Sequence, residues 1–228
     1  MVAQQGLERV RDVKPVDPSH EKKTPISSLP RLVLFVRYPK AGECKTRLIP
    51  AVGAVQAANI QRRLAEQIFG KLVMTGCPVT VAYTGETERA FTNWLGSAAT
   101  LEQQADGDLS SRLLAFTEDA PAIFFGSDTP DLSLEHVHAA IAGLATHSVV
   151  IGPAFDGGYY LIGMRKPMPQ LFTDMQWSTD QVLPETLVRL EKMGVEPLLL
   201  EPLSDCDTPE DLKLWPWLLN EMGLEKPS

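Results

Sequence analysis

Apolar runs of four to six residues recur along this chain, at 31–36 (RLVLFV), 79–83 (VTVAY), 122–126 (AIFFG), 148–151 (SVVI) and 159–164 (YYLIGM). Runs without polar alternation are the pattern of strands buried on both faces, as in a parallel sheet. A shorter strand is expected near Leu101 and a last one over 195–200. Between the strands the period changes to that of a helix. Over residues 52–74, Ile60, Leu64, Ile68 and Leu72 fall on one face. Further helices are expected over 87–95, with Trp94 packing on the sheet, over 109–117 capped by Asp108, and over 134–144 capped by Ser133. Ser178 and Gln181 have the spacing of a capping box for a helix over 182–193. Thr208 and Asp211 repeat that spacing for a helix starting at Pro209. Strands alternate with helices throughout, which predicts one α/β domain with a mostly parallel sheet and an antiparallel strand at 159–164. Residues 1–30 carry charges and prolines without an apolar period; they are expected to be a disordered leader, with the domain spanning 31–228.

Composition narrows the class. Hydrophobic residues make up 44% and charged residues 22%, the balance of a globular domain. The net charge of −8 argues against a nonspecific nucleic-acid binder, and no apolar run is long enough to span a membrane. Cys44, Cys77 and Cys206 are widely spaced and odd in number, which suits a cytoplasmic protein with neither a disulfide framework nor a zinc site. His136 and His138 are read as a solvated helix surface.

Candidate chemistry collects where strands end. The loop after the first strand carries Arg37, Lys40, Gly42, Lys45 and Arg47. A strand, a basic loop and a helix start together make an anion cradle, although neither a Walker A nor a dinucleotide fingerprint is present; the alternative is a solvated basic loop. Asp128 sits just past the 122–126 strand, and Pro130 cannot continue that strand. Ligands bind at this edge of open α/β sheets, where a carboxylate can hold a divalent cation or simply shape a turn. Asp156-Gly157-Gly158 is either a hairpin turn or part of an acceptor pocket. Asp205 and Asp207 precede the last cap without a capping task; they are a second source of metal-binding carboxylate or solvated helix charges.

Six blocks in order carry a family resemblance: Lys40-Ala-Gly-Glu-Cys-Lys-Thr-Arg-Leu48, Ala105-Asp-Gly-Asp-Leu109, Gly126-Ser-Asp-Thr-Pro-Asp-Leu132, Gly152-Pro-Ala-Phe-Asp-Gly-Gly-Tyr-Tyr-Leu-Ile-Gly163, Trp177-Ser-Thr179 and Asp205-Cys-Asp-Thr-Pro-Glu-Asp-Leu212. Together they resemble a bacterial family with the nucleotide-diphospho-sugar transferase (glycosyltransferase-A, GT-A) fold. That family is known mainly as glycosyltransferases, some assigned to arsenosugar biosynthesis. It is similar to the guanylyltransferases of molybdenum-cofactor and 2-phospho-lactate metabolism. The chain has Ser110 where the family often has Gly.

The resemblance implies a single Rossmann-like GT-A domain with a mixed, mostly parallel sheet flanked by helices. It implies nucleotide and phosphate binding by Arg37, Lys40, Gly42, Lys45, Arg47 and Asp108. Mg²⁺ or Mn²⁺ would sit on Asp128 and Asp207. The acceptor pocket would comprise Asp156, Gly157, Gly158, Trp177 and Ser178, with Asp128 and Asp156 catalytic. The expected activity is glycosyl transfer from a nucleotide sugar to a small-molecule acceptor. Nucleotidyl transfer from an NTP, or nucleotide binding without catalysis, are the alternatives.

Overall fold

Seven strands form one sheet in the order β3-β2-β1-β4-β6-β5-β7. The computed structural model describes residues 29–220, so the expected leader lies outside the described residues apart from its last two positions. In chain order the strands are β1 (Arg31–Arg37), β2 (Val79–Thr84), β3 (Thr100–Gln103), β4 (Ala122–Phe125), β5 (Val149–Pro153), β6 (Tyr159–Met164) and β7 (Leu198–Leu199). The helices are α1 (Ala54–Met74), α2 (Glu88–Leu95), α3 (Leu109–Leu114), α4 (Leu134–Leu144), α5 (Val182–Lys192) and α6 (Trp217–Asn220). Only β6 runs against its neighbours, pairing antiparallel with both β4 and β5. The remaining strands therefore point their carboxyl ends to one edge.

The continuous apolar runs are explained by cover on both faces. Leu32, Leu34 and Val36 of β1 pack with Ile68 and Leu72 of α1, Phe91 of α2 and Val137 and Leu144 of α4. Val33 of β1 and Phe124 of β4 face the other way, onto Leu113 of α3 and Leu183 and Leu190 of α5. A third cluster lies beside the sheet: Leu48, Ile60 and Leu64 meet Cys206, Leu212, Trp215, Leu218 and Leu219. This cluster matters for function, because it fixes the end of the basic loop against the segment that carries Asp205 and Asp207.

Several expected elements change in the fold. The helix expected over 52–74 begins later, as α1 at Ala54, behind a separate one-turn helix at Ile49–Val52, because Gly53 at φ +81° leaves the helical region. The strand expected over 195–200 shrinks to two residues: it pairs with β5 alone, and Pro197 has no N–H for a ladder. Ser178 does not cap α5, since it sits at φ +60° and the Leu183 N–H is met instead by the Gly157 carbonyl at 2.8 Å. The reciprocal Thr208–Asp211 bonds do form, at 3.4 and 2.7 Å. They close only a 3-10 turn at Asp211–Lys213, because Pro216 follows closely. The helix capped by Asp108 ends at Leu114, three residues early. His136 is a partner of the α4 cap rather than a solvated side chain: its Nδ1 accepts from the Ser133 N–H at 3.1 Å. Trp94 meets Tyr38 edge-on and Phe91 at a tilt beside the β1–β2 core, and its Nε1 donates to Glu66 of α1 at 2.7 Å, so it also ties α2 to α1.

Candidate active site at the carboxyl edge of the sheet

The strand order reverses between β1 and β4: the chain moves out through β2 and β3, then returns. The crevice at such a switch point is the usual ligand site of an open α/β sheet. The loop after β1 and the loop after β4 meet there. A cleft of about 280 Å³ opens between them, lined by Arg37, Glu43, Cys44, Lys45, Thr46, Arg47, Gln61, Asp128 and Asp207. A second hollow of about 290 Å³, between Arg63, Glu66, Gln67 and Trp217, has no pair of carboxylates.

Asp128 is held from three directions. Gly126 leaves room for its carboxylate, as a Cβ there would lie 3.1 Å from Oδ1. The Asp128 carbonyl accepts the Cys206 N–H at 2.9 Å, which brings the distant 205–207 segment alongside. Beside it, Gln61 of α1 donates to Ser127 Oγ at 3.1 Å in a buried contact. Asp207 is fixed through its backbone N–H, which donates to Asp211 Oδ2 at 2.9 Å. Asp211 thus holds Asp207 as well as capping its own turn.

Lys45 lies between these acids. Its Nζ donates to Asp207 Oδ1 at 2.5 Å and stands 3.6 Å from Asp128 Oδ2, with the side chain only 5% exposed. Burial pulls the ammonium pKa down, but the charges of Asp128 and Asp207 outweigh it and the net position is above the ordinary lysine value. Lys45 is therefore charged and turned inward, not free for a phosphate as its place in the basic loop suggested. Lys40 is also engaged, by Glu43 at 2.8 Å. Arg37 and Arg47 are exposed on the cleft, with no ion pair or hydrogen bond among the described residues. Gly42, at φ +85°, forms the exposed loop tip.

Two hard carboxylate oxygens already gathered around one positive charge suit a divalent cation. No group of three or more His, Cys, Asp or Glu side chains arranged to hold a metal occurs among the described residues. Phosphate oxygens and water would have to complete the shell, as is common for Mg²⁺. Burial pushes the Cys206 thiol up to about 12 and raises Cys44 as well, so neither is a thiolate nucleophile at neutral pH.

Asp205 missed the cleft but not the site. Thr129 Oγ1 donates to its Oδ1 at 2.7 Å. Burial, then the Asp128 charge, raises its pKa to about 7, with Asp156 and Asp207 adding to the effect. The folded state thus binds this proton more tightly than the unfolded chain does. Its stability falls as pH rises from the ordinary carboxylate value toward 7. Asp205→Asn keeps an acceptor for Thr129 and removes the charge. Thermal melts without metal should show the variant more stable than the parent at pH 8, by on the order of 1–3 kcal/mol, with little difference at pH 4. An equal offset at both pH values would contradict this.

The acceptor-side residues form a neighbouring patch rather than a wall of the cleft. Asp156 is exposed in the β5–β6 turn, and its Oδ1 accepts the Gly158 N–H at 2.8 Å. Gly157 sits at φ +91°, and a Cβ on it would lie 2.5 Å from the Asp180 backbone. This turn is therefore pressed onto the loop of Trp177 and Ser178. Trp177 Nε1 donates to Ser110 Oγ at 2.8 Å, and Ser110 in turn donates to the Phe172 carbonyl at 2.7 Å. Ser110 thus ties α3 to the Trp177 loop. Asp108 is an N-cap, accepting from Ser111 N at 2.9 Å, and does not reach the cleft. Gly157→Ala should cost about 2–4 kcal/mol, from strain and backbone collision together; denaturant unfolding within about 0.5 kcal/mol of the parent would show that the turn can move aside.

The comparisons agree with this architecture. Residues 71–179 match DUF2064, described as an uncharacterized protein conserved in bacteria. No protein of curated function matches the sequence. A crystal structure from Desulfovibrio desulfuricans G20, assigned as a nucleotide-diphospho-sugar transferase, is similar at 32% identity and a TM-score of 0.78, over 82% of this chain and 86% of that one. A CMP:2-keto-3-deoxy-manno-octonic acid synthetase complexed with CTP shares the fold at 15% identity and a TM-score of 0.53, over 86% of this chain and 100% of that one. Rv0371c of Mycobacterium tuberculosis H37Rv, in complex with manganese, shares it at 13% identity and a TM-score of 0.50, over 86% of this chain and 100% of that one. With 32% identity sustained over most of both chains in the first comparison, the chain belongs to the DUF2064 family of nucleotide-diphospho-sugar transferase-like proteins.

Proposed function

We propose that the protein is a metal-dependent glycosyltransferase that moves a sugar from a nucleoside-diphosphate sugar to a hydroxyl of a small acceptor. The observation that carries this is the lining of the cleft: Asp128 and Asp207 share it with Arg37 and Arg47, whose side chains have no ion pair or hydrogen bond among the described residues, and with Glu43 and Lys45. These two guanidiniums make a modest anion site, while Lys40 pairs with Glu43 and Lys45 with the two acids. Arg37 and Arg47 would hold the diphosphate by charge-assisted hydrogen bonds. Asp128 and Asp207 would hold the cation. A bound Mg²⁺ or Mn²⁺ supplies positive charge where the leaving diphosphate gains negative charge. Asp156 has a second carboxylate oxygen left over from its turn, and it would take the proton of the acceptor hydroxyl.

In this reaction the bond between the anomeric carbon and the diphosphate oxygen breaks, and a nucleoside diphosphate leaves. Nucleotidyl transfer would break an α–β phosphate bridge and release pyrophosphate. The manganese of Rv0371c and the CTP of the synthetase belong to those proteins, and they lend support to a metal and a nucleotide here. The test is to incubate the protein with Mn²⁺, a panel of nucleotide sugars and NTPs, and an acceptor pool, then separate the products. A nucleoside diphosphate released from a sugar donor is the expected product. Pyrophosphate from an NTP, with no nucleoside diphosphate from any sugar donor, would overturn the reading in favour of nucleotidyl transfer. Neither product, with a nucleotide still bound, would point to a binding protein.

A further inference from the structure

We propose that Lys45 is a resident cation: its ammonium and a divalent metal ion compete for the Asp128–Asp207 pair, and a diphosphate arriving with the metal draws Lys45 out. This rests on the reading of those two acids as metal ligands. The ammonium lies 2.5 Å from Asp207 Oδ1 and 3.6 Å from Asp128 Oδ2. Those oxygens are the ones a divalent ion would use, and two cations at one carboxylate pair repel each other. With Lys45 in place the pair carries a net −1; with it withdrawn, the pair offers −2 to a metal and Lys45 adds +1 to the phosphate side.

The backbone points the same way. Lys45 sits at φ 45°, ψ 43°, the left-handed region that non-glycine residues rarely occupy. Such strain persists where surrounding contacts hold it. Here both the Leu48 bond to the Lys45 carbonyl and the Nζ ion pair act on this residue, and metal would replace only the second. Leu48 anchors the far side of the turn: it is fully buried, and its N–H donates to the Lys45 carbonyl at 2.9 Å. On the near side Cys44 is buried and its Sγ donates to the Lys40 carbonyl at 3.4 Å, while 41–43 are exposed. With both neighbours anchored, the change falls on the Lys45 side chain, and the space it would enter is the cleft lined by Arg37 and Arg47.

Titration with Mn²⁺ alone, followed by the electron paramagnetic resonance of the free ion, tests the competition. Lys45→Met should bind Mn²⁺ at least about tenfold tighter than the parent, a change of about 1.4 kcal/mol. Adding Asp128→Asn to that variant should abolish the gain. Lys45→Gln, which keeps a donor for Asp207, serves if the Met variant does not fold. In the unmodified protein, saturating Mn²⁺ should expose Lys45 to amine acetylation read by mass spectrometry, while Lys40 reacts at the same rate with and without metal. Equal Mn²⁺ affinity in the parent and Lys45 variants, or continued protection of Lys45 once Mn²⁺ is bound, would overturn the competition and leave the function intact. No Mn²⁺ binding by either protein would overturn both.

Discussion

Asp128→Asn should lower metal-supported turnover by a factor of about 10²–10³, the range seen when one preorganised electrostatic contact to developing charge is removed. The substitution keeps the shape of the side chain. Its carboxylate is 37% exposed, and the backbone bond that docks the 205–207 segment uses the Asp128 carbonyl, which Asn retains. Folding should therefore survive, and a melting temperature within a few degrees of the parent is the control. Lys45 keeps its closer partner, Asp207 at 2.5 Å. Asp207→Asn divides differently. It leaves Lys45 with only the 3.6 Å contact, so stability should fall along with a smaller loss of turnover. Lys45 is shielded and would lose its closer carboxylate, though the 45% exposure of Asp207 tempers the cost. The measurement is steady-state turnover of the donor across a Mn²⁺ titration. Unchanged turnover with the same Mn²⁺ dependence in Asp128→Asn would remove Asp128 from the metal site.

Replacing Arg37 and Arg47 together with Ala should weaken nucleoside-diphosphate binding by about 3–6 kcal/mol, if each loses a charge-assisted hydrogen bond of about 1.5–3 kcal/mol. Each single variant should lose roughly half of this if the two contacts are independent. Both guanidiniums are exposed and without partners among the described residues, so no folding contact is lost with them. Lys40→Ala is the informative control: Lys40 is already paired with Glu43, and its loss should change affinity little. Calorimetric titration with UDP, GDP and CDP measures all four proteins. Undiminished affinity in the double variant would place the phosphates elsewhere and break the link between the cleft and a diphosphate.

Local pattern carried much of the fold. The strand at Tyr159–Met164 and the helix at Leu134–Leu144 stand at their expected limits, and β1, β2 and β4 lie within one residue of theirs. The Asp128 position was legible too. An apolar run that ends before Pro130 must deliver the polar residues just after it, Ser127 and Asp128, to the carboxyl edge of the sheet. All of these depend on neighbours within about one turn or one strand, where periodicity and capping act.

The ion-pair geometry of the site depended on what local pattern does not contain. Lys45 and Asp207 are 162 residues apart and meet because Leu48 and Cys206 share an apolar cluster. Nothing in the basic loop marks Lys45 as the cation turned inward, while Arg37 and Arg47 have no ion pair among the described residues. Ser178 has capping-box spacing, yet the Gly157 carbonyl meets the Leu183 N–H and the spacing goes unused. The raised pKa of Asp205 has the same origin, in acids gathered from three loops around a half-buried carboxyl. The sequence by itself determined which residues reach the carboxyl edge, because strand and helix limits are written in local hydrophobic period. Only the tertiary structure decided which charges face each other there, because Coulomb and packing energies depend on distances that chain separation does not specify.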